Sequence, residues 1–167
     1  MENNEIIKVE HSLLEDEDTL KDRYLTFLIA DETYAIEIAY VTEIIGIQKI
    51  AKIPNIKNFI KGIISLRGII TPVIDVRCRF RINETDYNDR TCIIVVSINN
   101  INIGLIVDQV SEVVDIPTSM ITAPPHTNKG TGSQFISGIG KVGDQIKIIL
   151  NIYKLLYEDY QQDIETE

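Results

Sequence analysis

The 167-residue chain is short of the residues on which most enzyme and metal sites are built. It has two cysteines, two histidines, two methionines and no tryptophan. Cys78 and Cys92 have no short-spaced partner and no neighbouring histidine, which excludes a metal knuckle and a disulfide framework and leaves both as small core residues. His11 lies in an acidic segment and His126 in a loop; neither has a carboxylate or nucleophile at a short interval, so no catalytic pair can be read. No apolar run reaches the roughly 18 residues that a membrane span needs. The opening MENNEIIKVEHSLLEDED is acidic where a secretion signal is basic and then apolar. A cytoplasmic protein with no direct membrane insertion, no cofactor, no metal and no enzyme activity is expected.

What is present is isoleucine, about one residue in five, a β-branched excess that suits pleated, half-buried surfaces better than helices. The length fits one compact domain or two small, closely packed ones. The net charge of −9 is unevenly placed. Residues 1–22 carry eight acids against Lys8 and Lys21, and residues 158–167 carry five acids and no base, so the tails sum to −11 and the body, residues 23–157, to +2. Composition marks the tail 1–22 as largely disordered, with Ser12 to Glu15 fitting a capping box. Within the body, Lys49, Lys52, Lys57, Lys61, Arg67, Arg77, Arg79 and Arg81 face only one acid, Asp75. That stretch raises the alternative of an oligonucleotide-binding barrel, but single-strand binders interleave bases with stacking aromatics, and here only Phe59 and Phe80 are available. No nucleic acid partner is expected.

The chain repeats itself. At an offset of 69, AIEIAYVTEII (35–45) matches GLIVDQVSEVV (104–114), pairing Val41 with Val110 and Glu43 with Glu112. At the same offset YLTFLIADETYAI (24–36) matches IIVVSINNINIGL (93–105), two strands with turns at Asp31-Glu32 and Asn99-Asn100. At an offset of 76, FIKGIISLRGIITPVIDV (59–76) matches FISGIGKVGDQIKIILNI (135–152), pairing Phe59 with Phe135 and Gly62 with Gly138. These are hairpins with tips at Arg67-Gly68 and Gly143-Asp144. Each half therefore reads as strand, strand, short helical turn, a further strand, then a hairpin. Five short strands per half close readily into a small barrel. Two such barrels, approximately 23–81 and 90–150, should pack through a shared apolar seam, with a helix at 151–157 over one end. The connection 123–132 is the one long irregular loop inside the body.

Other patterns have plain explanations. Gly138 to Gly143 spells GxGxxG, but the chain continues as strand where a dinucleotide site needs a helix, so the glycines serve a hairpin. Asn83-Glu84-Thr85 is a glycosylation sequon only by its letters. Glu43 and Glu112 are placed by the duplication in different barrels, on turns that expose them, and make no catalytic pair. Arg67 stands at the tip of an otherwise apolar hairpin, where its guanidinium can tie backbone carbonyls or meet a carboxylate.

The series Tyr34-Ala35-Ile36, Val41-Thr42-Glu43-Ile44-Ile45, Ile53-Pro54-Asn55, FIKGIISLRG (59–68), Pro72 to Arg77 and Gly104 to Asp108 resembles the CheW family of bacterial chemotaxis coupling proteins. The resemblance runs from about Tyr24 to Leu156; Ser65 stands where the family usually has Asn and Val76 where Leu is common. It implies an all-β fold of two intertwined five-stranded Src-homology-3-like barrels. It also implies a non-catalytic adaptor linking the cytoplasmic tips of methyl-accepting chemoreceptors to the regulatory domain of the histidine kinase CheA. The coupling domain of a CheV-type protein is the alternative. Carried over by position, Val41, Glu43, Ile44 and Arg67 are the implied receptor-binding residues. Gly62, Gly104, Val110 and Gly138 are implied at a kinase or receptor interface, the glycines as structural supports first. The seam between the barrels is the expected groove for a receptor helix.

Overall fold

In the computed structural model, which describes residues 20–124 and 133–158, the β-branched runs form short strands separated by tight turns. The tails 1–19 and 159–167, the capping box at Ser12 and most of the 123–132 loop lie outside the described residues. The first half contributes β1 (Arg23–Ile29), β2 (Glu32–Glu37), β3 (Val41–Gly46), β4 (Ile60–Leu66) and β5 (Ile69–Asp75), followed by the helical turn α1 (Val76–Arg79). The second contributes β6 (Cys92–Ile98), β7 (Ile101–Val107), β8 (Gln109–Asp115), β9 (Ile121–Thr122), β10 (Ile136–Val142) and β11 (Gln145–Leu150), followed by α2 (Ile152–Tyr157).

The two-residue hairpin loops select their residues. Arg67 (φ 52°) and Gly68 (φ 81°) both take the left-handed conformation, the geometry whose twist matches the flanking strands. Asn99 and Asn100 do the same. The first hairpin turns one residue earlier than the sequence suggests, at Ala30-Asp31, because Ile29 pairs with Glu32. Ala30 has no side chain to favour positive φ, and its N–H is held by Asp108 Oδ2 at 2.8 Å.

The strands do not assort by half. One sheet runs β8-β1-β2-β11-β10-β9 and the other β3-β6-β7-β5-β4. Each half thus lends its first hairpin to the barrel formed by the other half's later strands, and the seams are the parallel pairs β2–β11 and β5–β7. This corrects the division into barrels at 23–81 and 90–150: order along the chain sets the strands within a half, whereas pairing across halves sets the sheets. Each sheet closes through one bent stretch. In the first barrel β8 bonds β1 and, beyond Ile116, β9 bonds β10. In the second β3 bonds β6, and Ala51 exchanges two 2.9 Å hydrogen bonds with Ile63 of β4.

Three apolar clusters follow from this arrangement. Tyr24, Ala35, Ile116 and Ile149 fill the first barrel, and Ile64, Val73, Ile93, Val95 and Ile106 the second. The largest cluster lies between them, drawing on Phe27, Ile36, Val41, Phe59, Phe80, Ile94, Leu105, Phe135 and Leu155. The shared seam is therefore a packed core and not an open groove, which corrects the expectation of a helix-binding groove there. At about 25 cal/mol per Å2 of apolar area removed from water, a seam of this breadth explains why neither half need be stable alone.

Two local elements differ from the sequence reading. The first half has a single turn of 3-10 helix, Ile38–Tyr40, before β3. The second half has no such turn between β7 and β8, since only Asp108 separates them, with Asp108 N bonded to Leu28 O at 3.1 Å. The turn α1 was not legible as a helix; Asp75 caps it, its carboxylate accepting from Arg77 N at 2.9 Å.

Candidate functional site

Glu43 was expected on an exposed turn. It lies instead within β3 and is only 5% exposed. A bulge explains the change: Val41 sits opposite Val96 but Glu43 opposite Val95, so two residues of β3 answer one of β6. Val41 and Val96 belong to the seam core, whereas Val95 belongs to the interior of the second barrel. The bulge thus turns the Glu43 carboxylate away from the seam and into the barrel wall. There it meets Arg67 from the β4–β5 hairpin tip, with Nη2 donating to Oε2 at 2.5 Å. The partners are unequal, since the Arg67 side chain is 72% exposed.

Around this pair is a shallow cleft lined by Thr42, Leu66, Ile69, Thr71 and Asn102 as well as the two ions. It lies where β3 and the hairpin tip part, so the wall is bridged there by side chains in place of backbone hydrogen bonds. Ile69 and Ile70, adjoining Arg67, are 59% and 69% exposed, and Ile101 at the start of β7 is 52% exposed. A guanidinium flanked by exposed isoleucines is suited to protein contact: an apolar anchor patch with one directional, charge-assisted donor.

Val41 is 1% exposed and packs in the seam, so it offers no surface to a partner; Ile44 is half-buried against the same cluster. This corrects the reading of Val41 as a direct contact, while Ile44 keeps part of its surface. Val110 is likewise half-buried on the seam. The three glycines are buried where neighbouring atoms leave no room for a side chain. A Cβ on Gly62, which has φ +147°, would stand 2.0 Å from Ala51 O, the carbonyl that closes the second barrel. A Cβ on Gly138 would meet Ile121 Cγ2 at 2.7 Å, at the matching closure of the first barrel, and one on Gly104 would meet Ile93 Cγ2 at 2.7 Å. Their expected structural role agrees with this geometry.

The other bases of the Lys49–Arg81 stretch do not form one free surface. Lys61 pairs with Glu84. Arg77 grips Asp108 through two bonds of 2.8 and 2.6 Å, and Arg79 is 1% exposed. Burial alone would raise the Asp108 carboxyl, but the Arg77 bonds and the Ala30 N–H outweigh it and hold the group below the usual carboxylate range. Asp75, Cys78 and Glu84 place ligand-type atoms within 4.8 Å of one another. They are engaged in a network instead: Tyr87 donates to Asp75 at 2.8 Å and the Cys78 thiol to Glu84 at 2.9 Å. Burial pushes the Cys78 thiol up, away from the reactive thiolate. The network ties the strap between the halves to β5 and α1.

The second half does not repeat the ion pair. Glu112 is exposed, its backbone is held by Thr26 Oγ1, and Gly143 stands where the offset of 76 places Arg67. The comparisons with known proteins cover both halves. The family model described as CheW-like domain matches residues 23–159. The chemotaxis protein CheW of Klebsiella aerogenes is 33% identical over 139 residues, 83% of this chain and 84% of that protein. The CheW of Bacillus subtilis is 32% identical over 141 residues, 84% and 90% of the two chains. Among solved structures, the scaffolding protein TtCheW from Thermoanaerobacter tengcongensis matches with a TM-score of 0.74 at 38% identity, covering 80% of this chain and 91% of that one. With both swapped barrels inside the match, and with the hairpin that carries Arg67 among the residues of the initial resemblance, the chain belongs to the CheW-like domain family.

Proposed function

We propose that this chain is a non-catalytic adaptor that couples the cytoplasmic tips of methyl-accepting chemoreceptors to the regulatory domain of the histidine kinase CheA. The observation that carries the reading is the uninterrupted family match through both barrels, residues 23–159. The site chemistry agrees with it, since the exposed Ile69 and Ile70 stand at a hairpin tip beside a guanidinium and not around a nucleophile and base. No helix among the described residues is long and apolar enough to cross a membrane, so placement at receptor arrays would come through partners.

Within this reading Arg67, with Ile69 and Ile70, forms a receptor contact. Glu43 acts from beneath as the anchor that orients Arg67, while Val41, Ile44, Gly62, Gly104, Val110 and Gly138 shape the barrels behind the contact surfaces. Individual contacts of ordinary or small area are weak, and an array gains strength by linking many. Reconstituted kinase and receptor fragments test the proposal. Kinase output should respond to receptor only when this chain is added, and equal control without it would refute the coupling role. Salt-dependent binding of single-stranded oligonucleotide at micromolar concentration would favour the nucleic-acid reading instead.

A further inference from the structure

Where the two barrels meet, the duplication brings together two related pairs. Phe59 and Phe135 precede β4 and β10, and α1 and α2 follow β5 and β11. The backbone repeats as well: Phe59 O accepts from Asp75 N at 2.9 Å and Phe135 O from Asn151 N at 2.8 Å. One position breaks the symmetry. At the offset of 76, Arg79 of α1 corresponds to Leu155 of α2. The Arg79 guanidinium lies between the two rings, 4.2 Å from the Phe59 centroid and 4.6 Å from that of Phe135. Its Nε donates to Leu155 O at 2.7 Å, and Nη2 donates to Lys154 O at 3.3 Å and to Glu158 O. These are carbonyls of the last turn of α2, the negative end of that helix. A cation from one barrel thus caps the C-terminal helix of the other, sandwiched between one aromatic ring from each.

We propose that α2 is a latch across the barrel junction, able to open without the barrels unfolding, and that Arg79 is the positioning residue that holds it shut. The helix has only six residues and depends on its docking. Its interior contacts are Ile152, Leu155 and Leu156, while Tyr153 and Tyr157 face outward, 57% and 39% exposed. Opening strips Arg79 of the carbonyl bonds while leaving the sheet hydrogen bonds of both barrels intact.

Native-state hydrogen exchange on the full chain tests this, comparing amides of α2 with those of β6 from Ile93 to Val96. In the unaltered protein, α2 amides should exchange faster than β6 and with little urea dependence, the mark of a local opening. Arg79→Met keeps apolar volume between the rings but has no donors. It should speed α2 exchange about tenfold or more relative to β6, even where global stability holds or rises, as happens when a buried charge is replaced by a hydrophobe. Arg79→Lys should rescue poorly, because an ammonium lacks the planar fork. If Arg79→Met fails to fold, Asn151→Ala serves, since it removes the bond from Lys154 N to Asn151 Oδ1 at the other end of α2 and should also loosen the helix selectively. The proposal is overturned if α2 exchanges only with global unfolding, or if neither Arg79→Met nor Asn151→Ala changes α2 relative to β6.

Discussion

Replacing Glu43 by lysine separates the buried reading of this residue from the exposed one. A glutamate on an exposed turn would accept the reversal with a change of about 0.5 kcal/mol or less. In the structure Glu43 is 5% exposed and its carboxylate is held by Arg67 at 2.5 Å. The lysine would put an ammonium inside the second barrel's wall, facing Arg67. Two unit charges about 4 Å apart interact by about 1 kcal/mol in water and about 4 kcal/mol at an effective dielectric of 20. Because Arg67 is 72% exposed, the attraction lost belongs near the lower part of that range, about 1 to 2 kcal/mol. The repulsion gained is of similar size, and desolvating the ammonium adds to it. A total loss of about 3 kcal/mol follows, which at a slope of about 2 kcal/mol per molar moves the urea midpoint down by about 1.5 M. Glu43→Gln, which keeps shape and can still accept a bond, should lose only about 1 kcal/mol. A double-mutant cycle with Arg67→Gln should return a coupling energy of about 1 to 2 kcal/mol. An unchanged midpoint for Glu43→Lys would refute both the bulge assignment and the buried pair.

The same structure makes further predictions. Gly62→Ala should destabilise the protein by more than about 3 kcal/mol in urea unfolding, since a Cβ 2.0 Å from Ala51 O forces the barrel closure apart. Ile70→Ser should leave the unfolding midpoint within about 0.5 kcal/mol, because the side chain is 69% exposed, while weakening receptor-fragment affinity about tenfold or more in titration calorimetry if Ile70 is an anchor. Asp108 has its folded pKa depressed by Arg77, so its contribution is present above the unfolded value near pH 4 and is lost as pH falls through the lower folded value. Asp108→Asn should therefore lose less stability than the parent as the pH falls below about 4, measured as denaturation midpoints at each pH.

Much of the fold was legible because its signals are local. Alternating isoleucines marked the strands, and the residues at 67–68, 99–100 and 143–144 marked the hairpin tips where the structure puts them. Asn151 ahead of an apolar helical pattern marked α2. The swap of hairpins between barrels was not legible, because a repeat gives the order of strands within a half and is silent on which half each hairpin pairs with. The turn α1 is four residues long, too short for a helical period to register. Its signal lay in the repeat itself: carried beyond Ile74 and Leu150, the offset of 76 pairs Asp75 with Asn151, and both residues cap a helix. Glu43 was misplaced for a different reason. The helical turn ends at Tyr40, so Glu43 belongs to β3 and not to a turn, and the bulge that sets which side it faces changes no letter of the sequence.

Duplication also explains where the site had to arise. Two barrels from one ancestral pattern begin with equivalent surfaces, and equivalent surfaces cannot tell two unlike partners apart. Discrimination needs positions at which the copies differ in chemistry, and four such positions bear on the cleft and the junction. Arg67 answers to Gly143, Thr71 to Lys147 and Arg79 to Leu155, and buried Glu43 answers to exposed Glu112. The first and last of these differences together give one hairpin tip an anchored guanidinium and leave the other bare. Thr71 lines the cleft of the second barrel, whereas Lys147, 4% exposed, donates to Gln145 Oε1 at 2.9 Å in the first. The third difference falls at the junction, where the space between Phe59 and Phe135 takes a single guanidinium. An adaptor with two partners needs barrels whose surfaces differ and whose relative position is fixed. These four departures from symmetry fall at those two places, the hairpin tips and the junction.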